Sequence, residues 1–439
     1  MSTPGMSHAR DRAGELSRVA DWQRIYDTLY AAAGTDGDDF TGWTSSYDGT
    51  PIPVAQMREW CDTTASLVLS LRPRRVLEVG VGTGLLLRRI APQVEHYLGI
   101  DLSAVVVDAL RARVDADPVL ASRTTVRCLA AHDLEAVGVG AGAGAATADR
   151  GPLFDTVILN SVVQYFPSLD YFHGVLGGLL DLVAPGGRIF LGDLRNPRLA
   201  DCLRTAVALR RAAPGSTGTQ IAQAVATAAE RERELLIDPD LITPAGLPPV
   251  LADRIAAADV RVKRGRADNE LTRYRYDVVL TTCPAPAGTS LRGTASAGGG
   301  ALLPPAVEAP ALEWGWEVDS LDELAGHLAA HRPDRLRVLG VPHARLFPEL
   351  AAMRALAAGA GAAAARAVLD DPLPRSVPGV EDLAALGAAH GYDVVPTFSP
   401  DGGDGDLDVL FRAAASPDPD HRWPTNGVDD PAADRRART

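Results

Sequence analysis

The string VLEVGVGTG, residues 76–84, constrains this chain more than any other feature. Its first residues read as a buried strand, and the apolar run GLLLRRIAPQV behind it reads as a helix. Between them stand Gly80, Gly82 and Gly84. Glycine lets a backbone turn sharply and approach a ligand closely. A helix start behind such a turn offers free N–H groups. A second strand, HYLGIDLS, ends at Asp101. A carboxylate about twenty residues beyond a glycine loop can accept hydrogen bonds from ribose hydroxyls.

The spacing excludes the dinucleotide fingerprint Gly-x-Gly-x-x-Gly. Counted from Gly80 the pattern meets Leu85, and counted from Gly82 it meets Leu87. Glu78 leads the loop instead. A carboxylate there suits a nucleotide ligand without a pyrophosphate. S-adenosylmethionine fits, because its methionine end carries an ammonium. The expected cofactor set is Glu78, Gly80, Gly82, Gly84, Asp101 and Leu102. A third strand, TTVRCLAAHD, adds His132 and Asp133 where an adenine edge would lie. The fourth, FDTVILNS, brings Asn160 and Ser161 to the same rim, since open α/β sheets bind ligands at the carboxyl ends of their strands. In NSVVQYFP, Gln164 or Tyr165 is expected to line an acceptor pocket, and Phe166 to lie in the core.

The α/β alternation runs on through GGRIFLGDL, helices within 196–257, and the strands VRVKRG and YRYDVVLTT. Upstream, ADWQRIYDTLYAAA puts Trp22, Ile25, Tyr26, Leu29 and Tyr30 on one helical stripe. The expected organisation is a helical lid (1–73), a core (74–283) with a helical insertion (196–257), a flexible linker (284–308), a small α/β unit (309–415) and a disordered tail (416–439). Residues 137–151 are low in complexity and read as a mobile surface loop. The net charge of −13 argues against a nucleic-acid partner. Four scattered cysteines suggest neither a zinc site nor disulfides. No signal peptide or membrane-length apolar run is visible, so a cytoplasmic protein is expected.

The motifs VLEVGVGTGLLL, GIDLS, FDTVILNSVVQYFPS, PGGRIFLGDLRN, ELLIDP and KRGRADNELTRYRYDVVL, in this order, resemble the methyltransferase domains embedded in nonribosomal peptide synthetases. The resemblance extends upstream through GWTSSYDGTPIPVAQMREW and downstream through SLDELAGHLAAHRPDRLRVLGVPHARL. It implies a Rossmann-like class I methyltransferase with a seven-stranded, mostly parallel sheet whose last strand is antiparallel. It also implies dependence on S-adenosylmethionine and N-methylation of an aminoacyl thioester tethered to a carrier protein. No adenylation or carrier segment flanks the motifs, so a free-standing relative is expected, with a synthetase as partner. O- or C-methylation of a free metabolite, and an inactive scaffold docking on a synthetase, are the alternatives.

Methyl transfer needs a neutral amine aimed at the methyl carbon, and a carboxylate or amide oxygen can orient it or take its proton. Three places offer such groups. Tyr47 lies in the lid segment; Glu230, Glu232, Glu234 and Asp238 lie in the insertion; Asp268, Asn269, Glu270 and Arg273 lie in the turn before YRYDVVLTT. A parallel sixth strand would deliver that turn to the rim of Gly82, Asp101 and Asn160. Asn269 and Glu270 are the expected acceptor-orienting pair, with Arg273 bracing the loop. The role of the unit at 309–415 is open among acceptor binding, partner contact and dimerisation.

Overall fold

The protein was described from a computed structural model covering residues 4–31, 38–138, 154–285, 309–400 and 405–414. The expected tail, and nearly all of the expected linker (284–308) and of the loop at 137–151, lie outside the described residues.

The N-terminal part holds α1 (Pro4–Ala31) and α2 (Val54–Ser70). The core begins with β1 (Arg75–Val79), the short α3 (Leu87–Ile90) and β2 (His96–Asp101). Then come α4 (Ala104–Ala116), α5 (Pro118–Ala121), β3 (Thr124–Cys128), β4 (Phe154–Asn160), α6 (Leu169–Leu182) and β5 (Val183–Arg195). The insertion supplies α7 (Ala200–Arg211), α8 (Gly218–Glu230) and α9 (Pro249–Ala252), before β6 (Ile255–Val262), α10 (Glu270–Tyr274) and β7 (Arg275–Thr282). The C-terminal unit holds β8 (Ala311–Glu313), α11 (Leu321–His331), β9 (Arg335–Val341), α12 (Phe347–Ala357), α13 (Ala362–Val368), α14 (Val380–Ala389), β10 (Tyr392–Phe398) and β11 (Leu407–Ala413).

The main sheet has the order β3-β2-β1-β4-β5-β7-β6. Its strands are parallel except β7, which runs antiparallel to both β5 and β6. This is the Rossmann-like class I arrangement. The order reverses between β1 and β4, and such a switch point opens a crevice at the carboxyl ends of the strands. Helices cover both faces. On one face α4 buries Val106, Val107, Leu110 and Val114; on the other α6 buries Phe172, Val175, Leu176, Leu179 and Leu180. Serine caps start both: Ser103 Oγ accepts from Val106 N–H and Ser168 Oγ from Tyr171 N–H.

Local structure departs from the expected elements at four places. The helix expected over 84–94 shrinks to α3 and a following 3-10 turn, because Gly84 is left-handed (φ +79°) and Pro92 interrupts the pattern. The third strand stops at Cys128, leaving His132 and Asp133 in a turn. The helix of the insertion ends at Glu230, so 231–238 is irregular and turns back toward the sheet. The sixth strand starts at Ile255, inside the expected insertion.

The C-terminal unit is a four-stranded sheet, β10-β11-β9-β8. It shares one continuous apolar cluster with the main sheet, in which Tyr276 meets Phe398 edge-on at 6.1 Å. Among the described residues no helix is long and apolar enough to cross a membrane.

Candidate functional site

The glycine loop is built by packing on both sides. A Cβ at Gly80 would lie 2.2 Å from Val162 Cγ2, so only glycine lets the loop close on the segment after β4. Gly82 is left-handed (φ +49°), and a Cβ there would meet the Tyr30 hydroxyl of α1 at 3.2 Å. Asp101 sits at the end of β2. Its Oδ2 accepts from Gly82 N–H at 2.9 Å and its Oδ1 from Ser103 N–H at 3.0 Å. Burial raises its pKa against the pull of those two N–H groups. Glu78 is buried and accepts from the Tyr97 hydroxyl at 2.6 Å. Burial, only partly offset by that bond, pushes its pKa up to about 8.

At the end of β4, Asn160 donates to Ser161 Oγ at 3.3 Å, while its Oδ1 is buried without a hydrogen-bond partner. Ser161 is itself left-handed (φ +56°) and donates to Asp193 Oδ2 at 2.7 Å. Asp193, near the end of β5, is left-handed too (φ +65°) and fully buried. Non-glycine residues hold such backbone only where the surroundings over-determine it. Here the surroundings are a buried charge cluster. Arg275 of β7 donates to Asp193 at 2.6 Å, and Trp60 of α2 at 3.3 Å. Lys263, just beyond β6, lies 3.7 Å from Asp193 and 2.9 Å from Asp277. Although desolvation opposes it, the charges of Arg275 and Lys263 hold Asp193 below the usual carboxylate range. Asp277 is raised by burial against the same lysine, and also accepts from Asp193 N–H at 2.8 Å. None of Asp193, Lys263, Arg275 and Asp277 was singled out from the sequence. The available signal was a charge interrupting an apolar strand, as in IFLGDL and YRYDVVL.

Helix α1 roofs this edge. Gln23 donates to the Leu102 carbonyl at 3.0 Å, and Ser103 Oγ donates to Asp27. Trp22 and Tyr26 pack on Tyr165 with ring centroids at 4.7 and 5.1 Å. Ile25, expected on the same stripe, is 51% exposed because it points away from the sheet.

Beside the roofed edge, between β5, β7 and the helices of the insertion, lies a cavity of about 600 Å³. Leu203, Val207, Ala208, Ile221 and Ala224 form an apolar wall; Glu232, Glu234, Glu270, Arg195 and Arg275 face it. Glu232 holds Arg195 bidentately at 2.9 Å, and Glu234 reaches the same guanidinium at 2.9 Å. Those contacts lower the Glu232 pKa despite its burial. Both oxygens of Glu270 accept from Ser46, from N–H at 2.7 Å and Oγ at 2.9 Å.

The other sequence candidates sit elsewhere. Asn269 is the N-cap of α10: its Oδ1 accepts from Leu271 N–H and its Nδ2 donates to Gln56, each at 2.9 Å, so both ends of its amide are engaged away from the cavity. Tyr47 and Arg273 meet at Glu349 of α12, and Arg273 also grips Asp268 at 2.7 Å. Gln164 is buried with Oε1 unpartnered, and Tyr165 lies under α1. His132 contacts the Tyr171 hydroxyl at 2.8 Å, with Asp133 exposed beside it. Glu230 is exposed at the end of α8, and Asp238 pairs with Arg198 at 2.6 Å.

These residues fit S-adenosylmethionine. The Asn160 Oδ1 is buried without a partner, and the Glu78 and Asp101 carboxyls stand near the ends of β1 and β2 beside the glycine loop. Comparison with known proteins agrees. A family model described as a methyltransferase domain matches residues 77–189. The chain is 35% identical over 435 residues to the probable non-canonical nonribosomal peptide synthetase CymA of Salinispora arenicola, covering 98% of this chain and 5% of that protein. It is 34% identical over 358 residues to the chondramide synthase cmdD of Chondromyces crocatus, covering 79% of this chain and 8% of that protein. It therefore spans a small part of the curated relatives it matches. Among solved structures it has a distant likeness, on which no assignment rests, to the N-methyltransferase NodS from Bradyrhizobium japonicum WM9 in complex with S-adenosyl-l-homocysteine (14% identity, 59% of this chain and 97% of that chain, TM-score 0.36). The glycine loop, the switch-point crevice and the matched domain together make this chain a class I, S-adenosylmethionine-dependent methyltransferase that resembles the methyltransferase domains of nonribosomal peptide synthetases.

Proposed function

We propose that the protein N-methylates an amino acid or peptide-like intermediate of nonribosomal-peptide-type biosynthesis, held on a carrier protein or free. The observation that carries this reading is the cavity beside the cofactor edge, where three carboxylates face an apolar wall. S-adenosylmethionine supplies an electrophilic methyl on a positively charged sulfur. Glu78 and the Asn160 Oδ1 suit its ammonium, and Asp101 suits its ribose. The work left to the cavity is to hold an amine neutral, dry and aligned.

Alignment can supply much of such a rate enhancement. The apolar wall of α7 and α8 suits the acceptor's side chain. Glu270, fixed by two bonds from Ser46, keeps free lone pairs for an acceptor N–H. Glu234 lines the same space with one oxygen on Arg195. Either carboxylate can take the proton that the amine releases. Glu270→Gln keeps the shape and removes the base. Its turnover should fall by about a hundredfold, while calorimetry shows cofactor affinity within about twofold of the parent protein.

The decisive assay follows labelled methyl from S-adenosylmethionine onto aminoacyl carriers and free amino acids, read by mass spectrometry. Label at nitrogen supports the reading. Label only at oxygen or carbon, or none with any amine, overturns it. Transfer that persists without a carrier protein removes the carrier-bound form of the proposal.

A further inference from the structure

The C-terminal unit reaches the proposed acceptor site through one buried carboxylate. Glu349, on α12, is 2% exposed. Its Oε1 accepts from the Tyr47 hydroxyl at 3.0 Å and from Arg273 Nη1 at 2.5 Å. Its Oε2 accepts from the Tyr274 hydroxyl and lies 3.9 Å from Cys202 Sγ. The two tyrosine hydroxyls are 3.1 Å apart. Burial raises the Glu349 pKa, opposed by Arg273. A carboxylate taken out of water is retained only where several donors meet it, and here those donors come from three separate parts of the chain.

Each donor belongs to an element that shapes the cavity. Tyr274 lines it directly. Tyr47 is bonded in sequence to Ser46, whose N–H and hydroxyl hold Glu270. Arg211 closes the same loop from α7 by donating to the carbonyls of Ser46 and Tyr47. The C-terminal unit holds α7 as well: Arg366 of α13 donates to the carbonyls of Leu209 and Ala212, and Ala352, Ala362 and Ala365 pack on Leu209 and Ile221. The apolar wall and the Glu270 carboxylate are thus both braced from the C-terminal unit.

We infer that Glu349 is a positioning residue through which the C-terminal unit sets the geometry of the acceptor site. It touches neither cofactor nor acceptor; it fixes Tyr47 and Tyr274, and through Ser46 it fixes Glu270. This rests on reading the cavity as the acceptor site. Loss of a brace that holds both the apolar wall and Glu270 raises the acceptor KM and lowers kcat together, whereas loss of a cofactor ligand raises the cofactor Kd.

The test uses the full chain and compares Glu349→Ala, Glu349→Gln and Tyr47→Phe. In Glu349→Ala the acceptor KM should rise about tenfold and kcat should fall about tenfold, with cofactor Kd within about twofold. Amide exchange over 44–50 should quicken about tenfold, with 76–101 unchanged. Glu349→Gln keeps one oxygen to accept from Tyr47 and Arg273 and turns an amide N–H toward the Tyr274 hydroxyl, which then accepts, so it should recover most of both effects. Tyr47→Phe removes one hydroxyl and should show the same split on a smaller scale; it carries the test if Glu349→Ala fails to fold. Unchanged exchange over 44–50 overturns the inference, and so do an unchanged acceptor KM and kcat. If the parent protein methylates no amine, the proposed function fails, and exchange over 44–50 alone decides whether Glu349 is the brace.

Discussion

Glu78 stands one residue before the end of β1, buried against Tyr97, with its carboxyl pushed up to about 8. An acid whose folded pKa lies above its unfolded value of 4.5 favours the folded state in its neutral form. The contribution is complete below about 4.5 and lost as pH rises through about 8. The protein alone should therefore lose stability as pH rises from about 4.5 to about 8, by an amount on the order of a few kcal/mol. Glu78→Gln still accepts from Tyr97 but cannot ionise, so its stability should fall less steeply across that window. Denaturant unfolding at a series of pH values checks this; parallel slopes for parent and variant would exclude Glu78 as the source. Asp193 shows the opposite arrangement. Buried as deeply, it stays ionised because Arg275 and Lys263 neutralise it.

Among the elements, α1 lies over the rim formed by the ends of β2 and β4. Its Trp22 and Tyr26 rest on Tyr165, each aromatic pair adding about 1 kcal/mol beyond burial. Tyr30 and Gln23 reach the glycine loop and the residue after Asp101. A chain lacking residues 1–31 should keep its fold, since α1 lies over α4 and Tyr165 and adds no strand to the sheet, yet release S-adenosylmethionine about tenfold faster or more. Stopped-flow dissociation measures this, and an unchanged rate would mean that α1 is no lid. The stripe of Trp22, Tyr26 and Tyr30 was visible as a helical period, and so was each strand of the main sheet, because buried strands interrupted by glycine turns leave a strong pattern. The short α3 was not legible: its apolar run matches a helix, but backbone turned left-handed at Gly84 and a proline at 92 override that pattern.

At the scale of the whole molecule, one apolar cluster runs from the main sheet into the C-terminal sheet, through Leu194 and Tyr276 to Leu336 and Phe398. The two sheets should melt together. Calorimetry should give one transition with equal calorimetric and van't Hoff enthalpies; two separated transitions would show that the units are energetically independent. The same scale explains which candidate residues a sequence can show. The turns at Gly80, Gly82 and Gly84 and the strand ends at Asp101 and Asn160 follow local patterns. Glu270, expected at the rim from strand order, faces the cavity. Neighbouring Asn269 carries the same apparent promise in sequence, and only the α10 cap shows that its amide is already used. Glu349 is 302 residues from Tyr47, and no local pattern links them.

That distance has a practical consequence for recombination. A segment exchanged between relatives to alter the acceptor would have to bring residues near 46, 211, 273 and 349 as one inherited set. A transplant of the insertion alone would arrive without the partners that hold it, so the C-terminal unit is no interchangeable cassette.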